Sequence, residues 1–339
     1  MLTMAETTEP RNVSLTPTLR ELLEGIVDYA GIFPPAELPL REAIGNYDQY
    51  RHSPEAWMLG RFVLPAHRLD DLTPFSGLFK DPQSPYSFSI LGQGGPDAET
   101  FLTTFQDDLD AIDSFLEQHN DRLHADVMEV RLPPSLFDAD IPKATEFYDT
   151  VYSHLVAHGT AKLDIFYEVP LSESTLDNLP RLLAAMADHN SQRSLPARTE
   201  VGLKIRCGGM EPSAIPSASH LAKAITQCRD AGVRFKATAG LHHPVYHYDD
   251  TMESMMHGFL NLFGGAVIAW VHDLSADDLE VLLTEENPKR FKFTKDTFAW
   301  GGLTASMEDI HETRARLAAS FGSCSFDEPR DDLKELELM

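Results

Sequence analysis

Cysteine is scarce: three among 339 residues (Cys207, Cys228 and Cys324), widely spaced and with no Cys-x-x-Cys pair. An odd, scattered set supports neither a disulfide framework nor a zinc ribbon, and it points to a reducing, cytoplasmic setting. Positive charge is also in short supply. Lys and Arg number 28 against 53 Asp and Glu, a formal net charge of −25. That field repels phosphate backbones and anionic lipid heads, so neither nucleic acid nor a membrane surface is an expected partner. Long apolar runs are missing: Leu262 to Val271 is ten residues with two glycines, about half of the roughly 20 needed to span a bilayer. Met1-Leu2-Thr3-Met4-Ala5-Glu6 carries acid where a secretory leader needs base followed by apolar residues.

What is present suffices for a large core. The chain is 42% hydrophobic and 24% charged, with 19 Phe, 9 Tyr and 3 Trp, a composition that excludes disorder and fibre. The length allows two domains or one α/β barrel with additions. Residues 1–16 are polar and aperiodic and are expected to form a flexible arm, and residues 17–59 an N-terminal extension. Within it Leu19, Leu22, Leu23 and Ile26 keep helical spacing. The stretch Asp28 to Ala36, stopped by Gly31 and Pro34-Pro35, reads as a loop able to bring Asp28 and Tyr29 over a site.

From Gly60 onward short apolar strands alternate with amphipathic helices. The strands are expected at Gly60 to Pro65, Tyr86 to Leu91, Val127 to Leu132, Leu163 to Val169, Val201 to Cys207 and Val233 to Thr238. Between them, Leu102, Phe105, Leu109, Ile112 and Leu116 step by three and four, as do Ala144, Phe147, Val151 and Leu155 before Gly159. Further helices are expected at Thr175 to Asp188 and Ser217 to Arg229. Strand seven is placed at His257 to Asn261 and strand eight at Phe321 to Phe326, with helices at Leu262 to Val271 and Met307 to Ala319. An insertion, residues 287–302, reads as a polar hairpin serving as lid or decoration. The tail 327–339, with six acids and two bases, is expected to be solvated or docked at its leucines.

The polarity of the strands selects between the two parallel-sheet solutions. A central strand of an open doubly wound sheet is apolar on both faces. Here one face carries Glu129 and Arg131, then Asp164 and Glu168, Lys204 and Arg206, and Arg234, Lys236 and Thr238. The other carries Met128, Val130, Ile165, Tyr167, Leu203, Ile205 and Phe235. A polar interior wrapped by apolar residues is a TIM-type (β/α)8 barrel, and no Gly-x-Gly-x-x-Gly follows the first strand to suggest a dinucleotide fold.

Four constellations carry candidate chemistry. Lys236 would point into the lumen, where neighbouring cations make an amine easier to deprotonate and able to attack a carbonyl. Simple pairing with Glu129 or Glu168 is the alternative. His242, His243, His247 and His257, four of 14 histidines, fall within sixteen residues after a strand end, where barrel loops build sites. They suit proton transfer, substrate binding, or a divalent metal shared by His242 and His243 with Glu129 and Glu168. Glu129 and Glu168 are paired acid/base candidates, while Arg131, Lys204 and Arg206 suit an anionic substrate group, with Thr238, His257 and Asn261 as further substrate contacts. An interior salt-bridge layer is the rival reading. Cys324 is either a nucleophile served by a histidine of the His242 loop or an inert buried thiol.

The run Phe235-Lys236-Ala237-Thr238-Ala239-Gly240 resembles the reactive-lysine strand of deoxyribose-phosphate aldolase and related class I aldolases, and the resemblance implies Schiff-base chemistry at Lys236. That family has a second lysine near Gly-Gly on the following strand; here Lys204 with Gly208-Gly209 comes before. More broadly, Asp28 to Ala36, Gly202 to Gly209, Phe235 to Pro244, Met256 to Asn261 and Phe321 to Pro329 resemble a bacterial family of hypothetical proteins, a resemblance that implies no substrate. The expectation is a cytoplasmic, aldolase-like lyase of a small anionic carbonyl metabolite that requires no cofactor. A metal-dependent lyase, isomerase or hydrolase and a non-catalytic ligand-binding barrel are the rivals, and a homo-oligomer is left open.

Overall fold

The computed structural model describes residues 15–119, 122–160, 162–192 and 199–339; most of the expected arm lies outside them. The chain opens with α1 (Pro17–Leu23), β1 (Val27–Tyr29), α2 (Leu40–Tyr50), β2 (Leu59–Pro65), β3 (Tyr86–Leu91) and α3 (Ala98–His119). Then come β4 (Leu123–Arg131), α4 (Ile141–His158), β5 (Asp164–Glu168), α5 (Glu173–Ser191), β6 (Val201–Arg206), α6 (Ala218–Ala231) and β7 (Phe235–Thr238). A hairpin of β8 (His247–Asp249) and β9 (Ser254–Met256) precedes α7 (Phe259–His272) and α8 (Ala276–Leu283). The strands β10 (Lys292–Phe293), β11 (Thr297–Trp300) and β12 (Leu303–Ser306) lead to α9 (Met307–Arg316), β13 (Ala318–Ser323) and α10 (Asp327–Glu335). Eight strands close a barrel in the order β1-β13-β7-β6-β5-β4-β3-β2, and every pair in it is parallel. The fold is the expected (β/α)8 barrel.

Local chemistry sets the helix ends. Asp140, Ser172 and Ser217 accept from the backbone N–H of Lys143, Thr175 and His220, each such cap contributing about 1 kcal/mol. Gly159 and Gly232 close α4 and α6 with φ of +80° and +65°, left-handed conformations that glycine adopts without steric cost. Outward residues of the strands, among them Phe62, Phe88, Met128, Ile165, Tyr167, Leu203 and Phe235, are fully buried beneath the helices.

Two barrel strands differ from expectation. Val27–Tyr29 is the first strand, paired with both β2 and β13. Asp28 is therefore a buried lumen residue paired with Lys236 and not part of a loop over the mouth, and three residues are too few to show the alternation that would have marked it. His257 to Asn261 is not strand seven: α7 begins at Phe259. The residues from Phe259 to Ala269 are buried on every side, and a short run apolar all round does not distinguish strand from buried helix. The last strand begins at Ala318, so the expected helix from Met307 stops earlier, at Arg316. The insertion is a three-stranded antiparallel sheet, β10-β11-β12. It docks against α1 and α7, with Phe298 buried and Thr18 donating to the Thr294 carbonyl at 2.6 Å. Among the described residues, no helix is long and apolar enough to cross a membrane.

Candidate functional site at the barrel mouth

The inward positions of six strands link into a ladder of alternating charge. Asp28 on β1 pairs with Lys236 on β7, and Ser320 on β13 donates to the same carboxylate at 2.7 Å. Lys236 Nζ also lies 3.1 Å from Glu129 on β4, whose other oxygen is 3.0 Å from Lys204 on β6. Lys204 reaches Glu168 on β5 at 2.9 Å, and Arg206 closes the ladder with Nε 3.2 Å from Glu168. Asp28 and Lys236 are 0% exposed, Glu129 2% and Lys204 6%. The side chain of Arg206 is 42% exposed, so the ladder rises from a sealed interior to the C-terminal mouth, where barrel enzymes place their sites.

The charges hold one another ionised. Burial alone would raise the Glu129 pKa, but Lys236, Lys204 and the Ser89 hydroxyl, which donates at 2.6 Å, bring it down to about 2. Glu168 is likewise held below the ordinary carboxylate range, burial being outweighed by Lys204 and Arg206. For Lys204 burial works toward deprotonation, and Glu129 with Glu168 more than offset it, so its ammonium is held above the ordinary lysine range. A second layer at the opposite end, Arg61 with Asp126 at 2.7 Å and Arg234 with Asp164 at 3.2 Å, faces the mouth usually concerned with stability.

At the C-terminal mouth the terminal nitrogens of Arg206 have no partner among the described residues, and Arg131, exposed at the end of β4, has none at all there. Thr238 is half-buried at the end of β7, in register with Arg206. The turn beyond it is tight. A Cβ on Gly208 would stand 2.9 Å from the Gly240 Cα, and Ala239 and Gly240 take φ of +61° and +71°, a conformation costing about 1 kcal/mol for alanine. The glycine of the lysine motif is thus explained by close packing of two βα turns.

The histidine loop is held by the C-terminal helix. His242 Nδ1 lies 2.7 Å from Glu328, and His243 Nδ1 pairs with Asp332, one turn further along α10. On its other side, His242 Nε2 is 3.9 Å from the Cys324 sulfur. Burial would lower the His242 pKa, but Cys324 and Glu328 together lift it to about 10. Thiol, imidazole and carboxylate therefore stand in line just past the end of β13, the order of a nucleophile, its base and an orienting acid.

Several sequence-predicted residues do other work. Glu129, Glu168, His242 and His243 do not form a metal cluster: the carboxylates share Lys204 and the histidines are tied to α10. His257 is 3% exposed, its Nε2 2.8 Å from the Pro216 carbonyl. Asn261 is 1% exposed; its amide oxygen accepts from the Tyr246 N–H at 2.8 Å, and its nitrogen donates to the Leu282 and Glu285 carbonyls at 2.9 and 2.8 Å. Both brace the loop and neither faces the lumen. Sequence reasoning missed Asp28, Ser89 and Ser320 as lumen groups and Glu328 and Asp332 as histidine partners; for the last two, their spacing of one helical turn was an available signal.

No protein-family model and no curated protein matches the chain. Among solved structures it is similar to malate synthase of Haloferax volcanii, in a complex with magnesium and glyoxylate, at 12% identity and a TM-score of 0.39. The match covers 85% of this chain and 73% of that one. A likeness this remote carries no residue over to this chain.

Proposed function

We propose that the protein is an enzyme acting on a small anionic metabolite with a carbonyl group, bound at the C-terminal mouth, and that its reaction is of the carbon–carbon lyase type. The observation that carries this reading is the end of the charge ladder. Arg206, anchored through Nε to Glu168, offers its two remaining nitrogens to the mouth, a fork suited to a carboxylate or phosphate. Arg131 supplies a second cation, and Thr238 a hydroxyl. When a carbon–carbon bond beside a carbonyl breaks, charge builds on oxygen. Lys204, one step down the ladder, is a preorganised ammonium for that charge, and His242 is placed to move a proton.

In this reading Lys236 acts electrostatically. A Schiff base needs a neutral, reachable amine, and Lys236 is 0% exposed between Asp28 and Glu129. Glu129 stays ionised and, between Lys236 and Lys204, orients both lysines. A second reading rests on the alignment of Cys324, His242 and Glu328: a thiolate adding to the same carbonyl, with His242 as its proton partner. Neither reading calls for a resident cofactor, a membrane or a nucleic acid.

Calorimetry with oxalate, pyruvate and inorganic phosphate tests the anion site. Exchanging both Arg206→Met and Arg131→Met should weaken binding of the preferred anion at least tenfold; an unchanged affinity removes the mouth as the site. Borohydride trapping against small aldehydes and 2-oxo acids should leave Lys236 unmodified, and an adduct there restores the Schiff-base mechanism. Loss of turnover in Cys324→Ser with anion affinity intact selects the thiol reading.

A further inference from the structure

The loop leaving β7 carries a second cluster that the anion site does not use. His243 stands in that loop, and His247 and Asp249 occupy alternate positions of β8, so the two-residue period of the strand puts both on one side. One potential ligand atom from each of the three lies within 4.8 Å of the others, and no other such group of His, Cys, Asp or Glu occurs among the described residues.

Both rings are oriented from behind. His243 Nδ1 is bonded to the Asp332 carboxylate, and His247 Nδ1 to the Val245 carbonyl at 2.9 Å. Each partner accepts, so each Nδ1 donates, and the Nε2 lone pair is the one left for a ligand. This is the outer-shell arrangement by which carboxylates and carbonyls fix metal-binding imidazoles. The Nε2 atom of His247 is buried and has no hydrogen-bond partner among the described residues, a state that folded proteins rarely leave without a reason. One oxygen of Asp249 accepts from the Thr251 and Met252 N–H groups, both at 2.8 Å, which fixes the carboxylate and leaves its second oxygen available.

We propose that His243, His247 and Asp249 bind one divalent transition-metal ion, zinc foremost, at the rim of the barrel mouth. Two imidazoles and one carboxylate are donors suited to such an ion, and three protein ligands leave a coordination position for water, the pattern of catalytic and not of structural zinc. Zinc bonds of about 2.0–2.1 Å place tetrahedral ligands roughly 3.4 Å apart, a spacing inside the 4.8 Å within which these ligand atoms already lie. The inference does not depend on the reaction proposed above.

The test uses the full chain, stripped with chelator and titrated with Zn2+ by calorimetry and with Co2+ by visible absorption. One ion per chain is expected. His247→Ala and Asp249→Asn should each weaken zinc at least a hundredfold, and Asp332→Asn, which touches only the outer partner, by roughly ten- to a hundredfold. His311→Ala, at a histidine remote in sequence from the cluster, should leave affinity unchanged. X-ray absorption of the zinc-loaded wild type gives a readout that needs no variant: two imidazole nitrogens and oxygen ligands are expected. Binding no tighter than millimolar, full affinity in His247→Ala, or sulfur in the shell overturns the assignment.

Discussion

Lys204 shows what a single residue does in a sealed lumen. It is the sole cation between Glu129 and Glu168, 3.0 and 2.9 Å from them. Replacing it by Met leaves two buried carboxylates with one neutralising partner each, Lys236 and Arg206. Removing one member of a buried ion network costs about 3–5 kcal/mol, and Lys204→Met should lose that much in urea unfolding. The Glu129 pKa, held to about 2, should rise with it. A loss under 1 kcal/mol would mean that water enters the lumen and screens the pair. Inward charge at Glu129, Glu168, Lys204 and Lys236 was legible because alternation survives in strands of four or more residues. Asp28 was not legible, because a three-residue strand beside Gly25 and Gly31 has no period to read, and its partner Lys236 lies 208 positions away.

Among elements, α10 is the most informative. The tail that contains it, with six acids and two bases over residues 327–339, left two readings open, solvated or docked at its leucines; Leu333 is buried, Lys334 bonds Glu55 at 2.9 Å, and Glu328 and Asp332 hold His242 and His243. The helix is bound to the loop that carries His242, His243 and His247. The His242 pKa is raised from 6.5 to about 10, so the pair with Glu328 contributes its full stability below about pH 6.5 and loses it as pH rises through 10. Proteolytic nicking near residue 327 should therefore increase between pH 7 and pH 10 in the wild type. In Glu328→Gln nicking should be faster at pH 7 and change less with pH; identical profiles for the two proteins would show that apolar contacts alone dock the helix. Helices elsewhere were legible from their three-and-four spacing and their caps. The helix expected at Leu262 to Val271 lies within α7, while the strand expected at His257 to Asn261 does not form, because an element buried on all sides loses the periodicity that would mark its start.

For the whole molecule, the ladder has a consequence for where the net charge resides. Asp28, Glu129 and Glu168 balance Lys236, Lys204 and Arg206, so the ladder contributes nothing to the formal −25. The excess acid sits on the outside, where it repels itself and where salt screens it. The ladder, largely sealed from water below Arg206, is screened far less. Raising NaCl from 10 to 200 mM shortens the Debye length from about 30 Å to under 10 Å, and the melting temperature of the wild type should rise. Apolar replacement of an isolated buried pair is often neutral or stabilising, but here Lys236 also faces Glu129 and Asp28 also faces Arg61. A Lys236→Met, Asp28→Leu double variant should accordingly keep the same salt increment while losing stability. If its increment vanished, the lumen would be open to ions and the sealed ladder, together with the anion site built on its upper end, would have to be abandoned. If the increment and the fold both survived but oxalate affinity fell, the charge buried beneath Arg206 would be serving the mouth, which is the relation between interior and site that the barrel's polar lumen implies.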